Sequence, residues 1–152
     1  MFINKKEFEK YTLLPDFMKD YSKLPDRMKP IEVENKFTEF FNDIDKSTRL
    51  WKFHQLSELA DRQFYTYETM TPEILKDAKR FIINNIDCES IEIMDYAIYI
   101  ILHLGLDDLF DQIYSNIDTI KNEEVKNLLI EIKKEYEETI SDPYSSYKRR
   151  KQ

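Results

Sequence analysis

The residues of this chain best suited to chemistry are two histidines and the carboxylates spaced around them. His54, Glu58 and Asp61 stand at i, i+4 and i+7, which puts an imidazole and two carboxylates on one face of a helix. Such a set can ligate a divalent metal. The second histidine of an H-E-x-x-H helix is missing, however, and a solvated polar face accounts for the same spacing. His103 precedes Asp107, Asp108 and Asp111 around the single glycine, Gly105. An imidazole beside carboxylates titrates near neutrality and can act as a general base. The sequence sets neither a nucleophile nor oxyanion donors beside it. Asp107 and Asp108 have a simpler role in the first turn of a helix, where the backbone dipoles favour negative charge. Cys88, the one cysteine, excludes an internal disulfide and reads as a small apolar side chain at a helix junction. No G-x-S-x-G occurs, and one glycine cannot build a phosphate loop or a dinucleotide turn of standard form. A metal-binding or hydrolytic enzyme using His54 or His103 is therefore the alternative, and a non-enzymatic protein with no cofactor and no metal is the expectation.

A second set of residues offers contact surface instead. Tyr96, Tyr99 and His103 fall at i, i+3 and i+7, opposite the apolar stripe of their helix, with Glu92 and Asp95 on the same flank. Tyrosine brings large contact area at low entropic cost and is enriched at interfaces. The same side chains could equally pack against a neighbouring helix. The stretch from Gln63 to Met70 holds Phe64, Tyr65 and Tyr67 in a linker. Aromatics there either anchor a partner or plug the gap between helical pairs.

Composition limits what can position these groups. The 152 residues suit one domain, and a chain of this size can bury a core without a covalent staple. One glycine, against a usual share of about 7 %, argues for helices joined by short connections, because tight turns need positive φ. The opening MFINKKEFEKY has no apolar core of the secretory type, and the longest apolar run, Ala97 to Leu102, is far short of the ~20 residues a membrane span needs. A cytoplasmic protein with no membrane partner is expected. The net charge is −7 although Lys148, Arg149, Arg150 and Lys151 crowd the end, so the rest is more acidic still. That body repels phosphate backbones and attracts basic proteins. Nucleic acid, held by the basic tail in a regulator, is the third reading.

The helices follow from apolar spacing and end signals. Phe37, Phe40, Phe41 and Ile44 form one stripe on a first helix over roughly 33–45. A second starts near Ser47 as N-cap and fades near Gln63. Thr71 and Pro72 open a third, which ends at Asn84 and Asn85. A fourth starts between Asp87 and Ser90 and stops at Gly105, a fifth covers about 107–114, and a sixth begins near Asn122. Residues 1–33, broken by Pro15, Pro25 and Pro30, read as an irregular arm. The helical body is 34–140, and 141–152 reads as a flexible basic tail, all within one domain.

An offset of 31 aligns Asn85-Ile86-Asp87 with Asn116-Ile117-Asp118 and keeps the stripes in register: Ile82 meets Ile113, Met94 meets Val125, and Ile98 meets Leu129. Each unit is a helical hairpin that must stack on a neighbour to bury its apolar face. Residues 71–140 thus resemble a small HEAT-like α-solenoid, and the expected fold is all-α, of antiparallel helical hairpins. With its acidic body and aromatic surface, the chain also resembles the small immunity proteins that bacteria encode beside secreted toxins, including those of contact-dependent inhibition. The resemblance is one of type and transfers no site residues. It implies a protein-binding inhibitor that neutralises a toxin, with a basic toxin domain as the partner. The candidate partner-binding residues are Glu92, Asp95, Tyr96, Tyr99, His103, Asp107, Asp108, Asp111, Tyr65 and Tyr67.

Overall fold

Three polar side chains start helices by accepting amides that the helix itself leaves without partners. Thr48 accepts from Trp51 at 3.3 Å, Ser90 from Ile93 at 3.3 Å, and Asn122 from Glu124 at 2.9 Å. Proline solves the same problem by lacking the amide, and Pro30 and Pro72 are the first residues of two more helices. In the computed structural model, which describes residues 20–43 and 48–145, these ends bound six α-helices. They are α1 (Pro30–Asp43), α2 (Arg49–Phe64), α3 (Pro72–Asn85), α4 (Ile91–Leu104), α5 (Asp107–Tyr114) and α6 (Glu123–Tyr136). Among the described residues there is no strand. No helix among them is long and apolar enough to cross a membrane.

Two boundaries differ from the sequence reading. The first helix begins at Pro30, so Pro30 to Val33 belong to the body and not to the arm. A proline placed in the first turn starts a helix rather than breaking one. The second helix is capped by Thr48, while Ser47, Ile44 and Asp45 lie outside the described residues. So do residues 1–19 of the arm and the tail cations Lys148 to Lys151.

The helices form antiparallel hairpins in a short solenoid-like stack. α2 packs on α4 and α4 on α6 in one row, while α1 packs on α3 in the other. Lys79 and Asp108, 2.8 Å apart, tie α3 to α5. α4 lies in the middle and is apolar almost all round, with Met94, Ala97, Ile98, Ile100 and Ile101 buried. A helix with that pattern needs neighbours on both sides. Phe40, Phe53 and Phe81 join α1, α2 and α3 through ring contacts of 5.1 and 5.5 Å. Each such ring contributes roughly 2–3 kcal/mol of burial.

Contacts between connecting segments hold the hairpins in order. Arg49, at the start of α2, lies 3.9 Å from Asp87 between α3 and α4. From that same segment, Glu89 accepts the Lys121 and Asn122 amides at 2.9–3.1 Å, just before α6. The two Asn-Ile-Asp copies thus occupy equivalent places, each following the first helix of a hairpin. At the entrance to the body, the buried Arg62 donates to the Ser22 and Leu24 carbonyls at 3.2 and 2.9 Å. Its other partners are Glu58 and Asp61, so a buried guanidinium clamps the segment before α1 onto α2.

Candidate interaction site

The far ends of α2 and α4 meet at an aromatic corner. Phe64, the last residue of α2, is its hub. Its ring meets Tyr65 at 5.6 Å, His103 of α4 at 5.1 Å and Tyr144 at 5.1 Å. His103 stacks on Tyr99 at 3.9 Å, and Tyr144 reaches Tyr67 at 6.0 Å. Six rings from three separate stretches of chain therefore share one patch.

The connection from α2 to α3 is held firmly enough to present its tyrosines. The buried Gln63 donates from Nε2 to the Glu68 carbonyl at 2.7 Å. Thr66 donates its hydroxyl to the Gln63 carbonyl at 2.7 Å. The Tyr144 hydroxyl lies 3.2 Å from the Gln63 and Glu68 carbonyls, spanning the loop from the other side. Tyr67 takes φ +58°, a left-handed conformation that costs a residue with a Cβ about 1 kcal/mol. The result is two tyrosines displayed on the surface, Tyr65 at 40 % exposed and Tyr67 at 49 %.

Acidic charge lies beneath this patch. The Tyr99 hydroxyl donates to Asp61 Oδ1 at 2.6 Å. Burial, then the Asp61 bond and charge, hold the Tyr99 phenol far above its usual range, with Glu58 and Tyr65 adding to the effect. Burial also works to raise Glu58, but His54 and Arg62 prevail and hold its carboxyl below the usual range. His103 Nδ1 donates to the Tyr99 carbonyl at 2.8 Å. Burial depresses the His103 pKa, against the opposing pull of that carbonyl and of Asp61.

The predicted residues separate into groups. Tyr65, Tyr67, Tyr99 and His103, read from two distant stretches, come together here. Tyr96 does not belong with them as a contact residue. It is 1 % exposed and lies against His54 of α2 at 5.6 Å, so no partner reaches it without opening the α2–α4 interface. The reason is that α4 is sandwiched: the flank opposite its apolar stripe faces α2 and not solvent. Glu92 is exposed in the first turn of α4, about 16 Å along the axis from His103. Asp95 is half-buried, and burial, together with Glu92 and Glu124, raises its carboxyl. Asp107 and Asp111 are exposed on α5, and Lys79 holds the Asp108 carboxyl below its usual range.

His54, Glu58 and Asp61 share a helix but diverge in their partners. Gln55 Nε2 lies 3.1 Å from His54 Nδ1, which leaves Nε2 to donate to Glu58 at 3.2 Å. Glu58 also pairs with Arg62, and Asp61 turns to Tyr99. Among the described residues, no group of three or more histidines, cysteines and carboxylates is placed to hold a metal ion. The sequence reading left Tyr144 out of the site, because it follows Pro143 at the start of what reads as a tail. An aromatic residue directly after that proline was the available signal.

Comparison of the chain with models of protein families, with curated proteins and with solved structures finds no match.

Proposed function

We propose that this protein is a binding module rather than an enzyme, and that it acts as an immunity-type inhibitor of a bacterial toxin in the cytoplasm. Its partner on this reading is a basic protein, and the aromatic corner is the contact. The observation that carries the reading is the pair Tyr65 and Tyr67, surface-exposed on a hydrogen-bonded loop that directly follows the last turns of α2, where Glu58 and Asp61 stand. Large rings held rigidly lose little entropy on binding, which is why tyrosines so often carry interface energy. The net charge of −7 favours encounter with a cationic surface and makes its rate depend on salt.

The test is co-expression with the product of the adjacent gene, followed by calorimetry on the purified pair. The expected result is a complex that weakens at least tenfold when Tyr65 and Tyr67 are both replaced by alanine, with the circular dichroism unchanged. A neighbour that does not associate, or a complex indifferent to both substitutions, overturns the proposal.

A further inference from the structure

We infer that the aromatic corner is a receptor for an arginine side chain, with the Tyr65 ring as the stacking face and the Asp61 carboxylate as the acceptor. The inference rests on the binding-module reading and names the chemistry its partner must supply. Tyr65 is exposed and follows Asp61 by one helical turn, its amide donating to the Asp61 carbonyl at 3.3 Å, and the Asp61 side chain in turn accepts from Tyr99. The Asp61 side chain is itself 27 % exposed. Its Oδ1 accepts from Tyr99 at 2.6 Å and its Oδ2 lies 3.6 Å from Arg62. A carboxylate has about four lone-pair sites, so these two neighbours leave acceptor capacity on its accessible side.

The surroundings select for positive charge. Glu58 lies one turn back on α2, and Glu68 is exposed in the same loop as Tyr65. Arg62, the nearest cation on α2, is buried: its Nη2 donates to the Ser22 and Leu24 carbonyls and its Nη1 to Glu58, so towards Asp61 it keeps only the 3.6 Å approach to Oδ2. An anionic or purely apolar side chain brought to this place would meet carboxylates it could not satisfy. A cation gains both the ring face and the carboxylate.

Arginine fits better than lysine. Its planar guanidinium can lie on a ring while its edge donates two parallel hydrogen bonds to a carboxylate. An ammonium is compact and more strongly hydrated, so it satisfies one partner at the expense of the other. The chain itself shows the weaker contact elsewhere, with Lys133 Nζ 4.7 Å from the Tyr114 ring centre.

The experiment titrates the full-length protein with nona-arginine and with nona-lysine at physiological salt, reading calorimetry and the backbone amide shifts of Tyr65 and Tyr67. Nona-arginine is expected to bind at least threefold tighter than nona-lysine. Tyr65→Ala should weaken it about tenfold, while Tyr65→Phe, which keeps the ring, stays near the wild-type value. Asp61→Asn should remove the preference for arginine; should that variant fold poorly, the exposed Tyr65 pair of variants still decides. Equal affinity for the two peptides with no effect of Tyr65→Ala means diffuse charge attraction and overturns the inference, as does absence of binding. If a protein partner needs Tyr65 and Tyr67 while neither peptide binds, the arginine assignment falls and the binding-module reading stands. If the peptides behave as expected and no protein engages the loop, the binding-module reading falls.

Discussion

Tyr99 on α4 donates a 2.6 Å hydrogen bond to Asp61 on α2, and so couples the central helix to the one carrying the charged face. The bond is partly buried and short, and its acceptor is a carboxylate oxygen, which places it among the stronger hydrogen bonds. Tyr99→Phe should destabilise the protein by about 1.5–2 kcal/mol. Asp61→Asn keeps an acceptor but removes the charge, and it should cost less. A double-mutant cycle from urea unfolding should return a coupling of about 1 kcal/mol between the two. Additive effects would show that the pair is a contact without energetic consequence.

Stability should fall as the solution becomes mildly acidic, and His103 is the cause. Burial depresses its folded-state pKa below the usual 6.5. Between that depressed value and 6.5, the unfolded chain binds a proton that the folded protein does not. Stability is therefore constant well above 6.5, falls as pH drops through 6.5, and levels off below the folded-state pKa. His103→Phe retains a ring for Tyr99 and Phe64 to pack on but has nothing to titrate. Thermal melts at pH 7.5 and pH 5.5 should show a smaller drop for the variant than for the wild type. Glu58 does not confuse the measurement. Its lowered pKa gives stability that is present above about 4.5 and lost only as pH falls through the still lower folded-state value.

Gly105 joins two requirements at one backbone position. It ends α4 at φ +73°, and a Cβ placed on it would lie 3.1 Å from both Pro143 Cδ and the Ser141 carbonyl. Gly105→Ala should cost about 2 kcal/mol, part from the left-handed conformation and part from displacing the segment above it. That segment carries Tyr144, so the variant should also raise hydrogen exchange at the loop amides of Tyr65 to Glu68. Gly105→Asn tolerates the conformation but still crowds Pro143, and it should fall between the two. If Gly105→Asn matched the wild type, the close approach of Pro143 would carry no energy.

The helix ends were the most legible part of this sequence, since Pro72, Ser90, Gly105 and Asn122 act through their own backbone or side chain within one turn. The offset of 31 was legible for a related reason: stacked hairpins repeat the same burial, so Met94 and Val125 are both fully buried. The fate of Tyr96 was not legible. Periodicity assigns residues to faces of α4 but says nothing of what lies beyond each face, and α2 meets this flank with His54 and Asp61, whose spacing reads as a solvated polar face. The corner was half legible. Tyr65, Tyr67, Tyr99 and His103 each stood out by type, but their meeting depends on Phe64 and Tyr144, eighty residues apart in the chain.

Tyr67 offers a way to separate display from stability. Its φ of +58° is strained for a tyrosine and costless for glycine. Replacing it should relieve about 1 kcal/mol of backbone strain and lose a comparable amount from the contact with Tyr144. Tyr67→Gly is therefore expected to melt within a degree or two of the wild type, whereas an ordinary exposed tyrosine in a relaxed loop would be replaced by glycine at a clear loss. Partner binding should nevertheless fall at least fivefold, because the ring is 49 % exposed in the free protein and its area is available to an interface. The opposite pattern, a large loss of stability with unchanged binding, would mean that the strained tyrosine is held for the sake of Tyr144 and the loop. In that case the display of Tyr67 would be a by-product of packing.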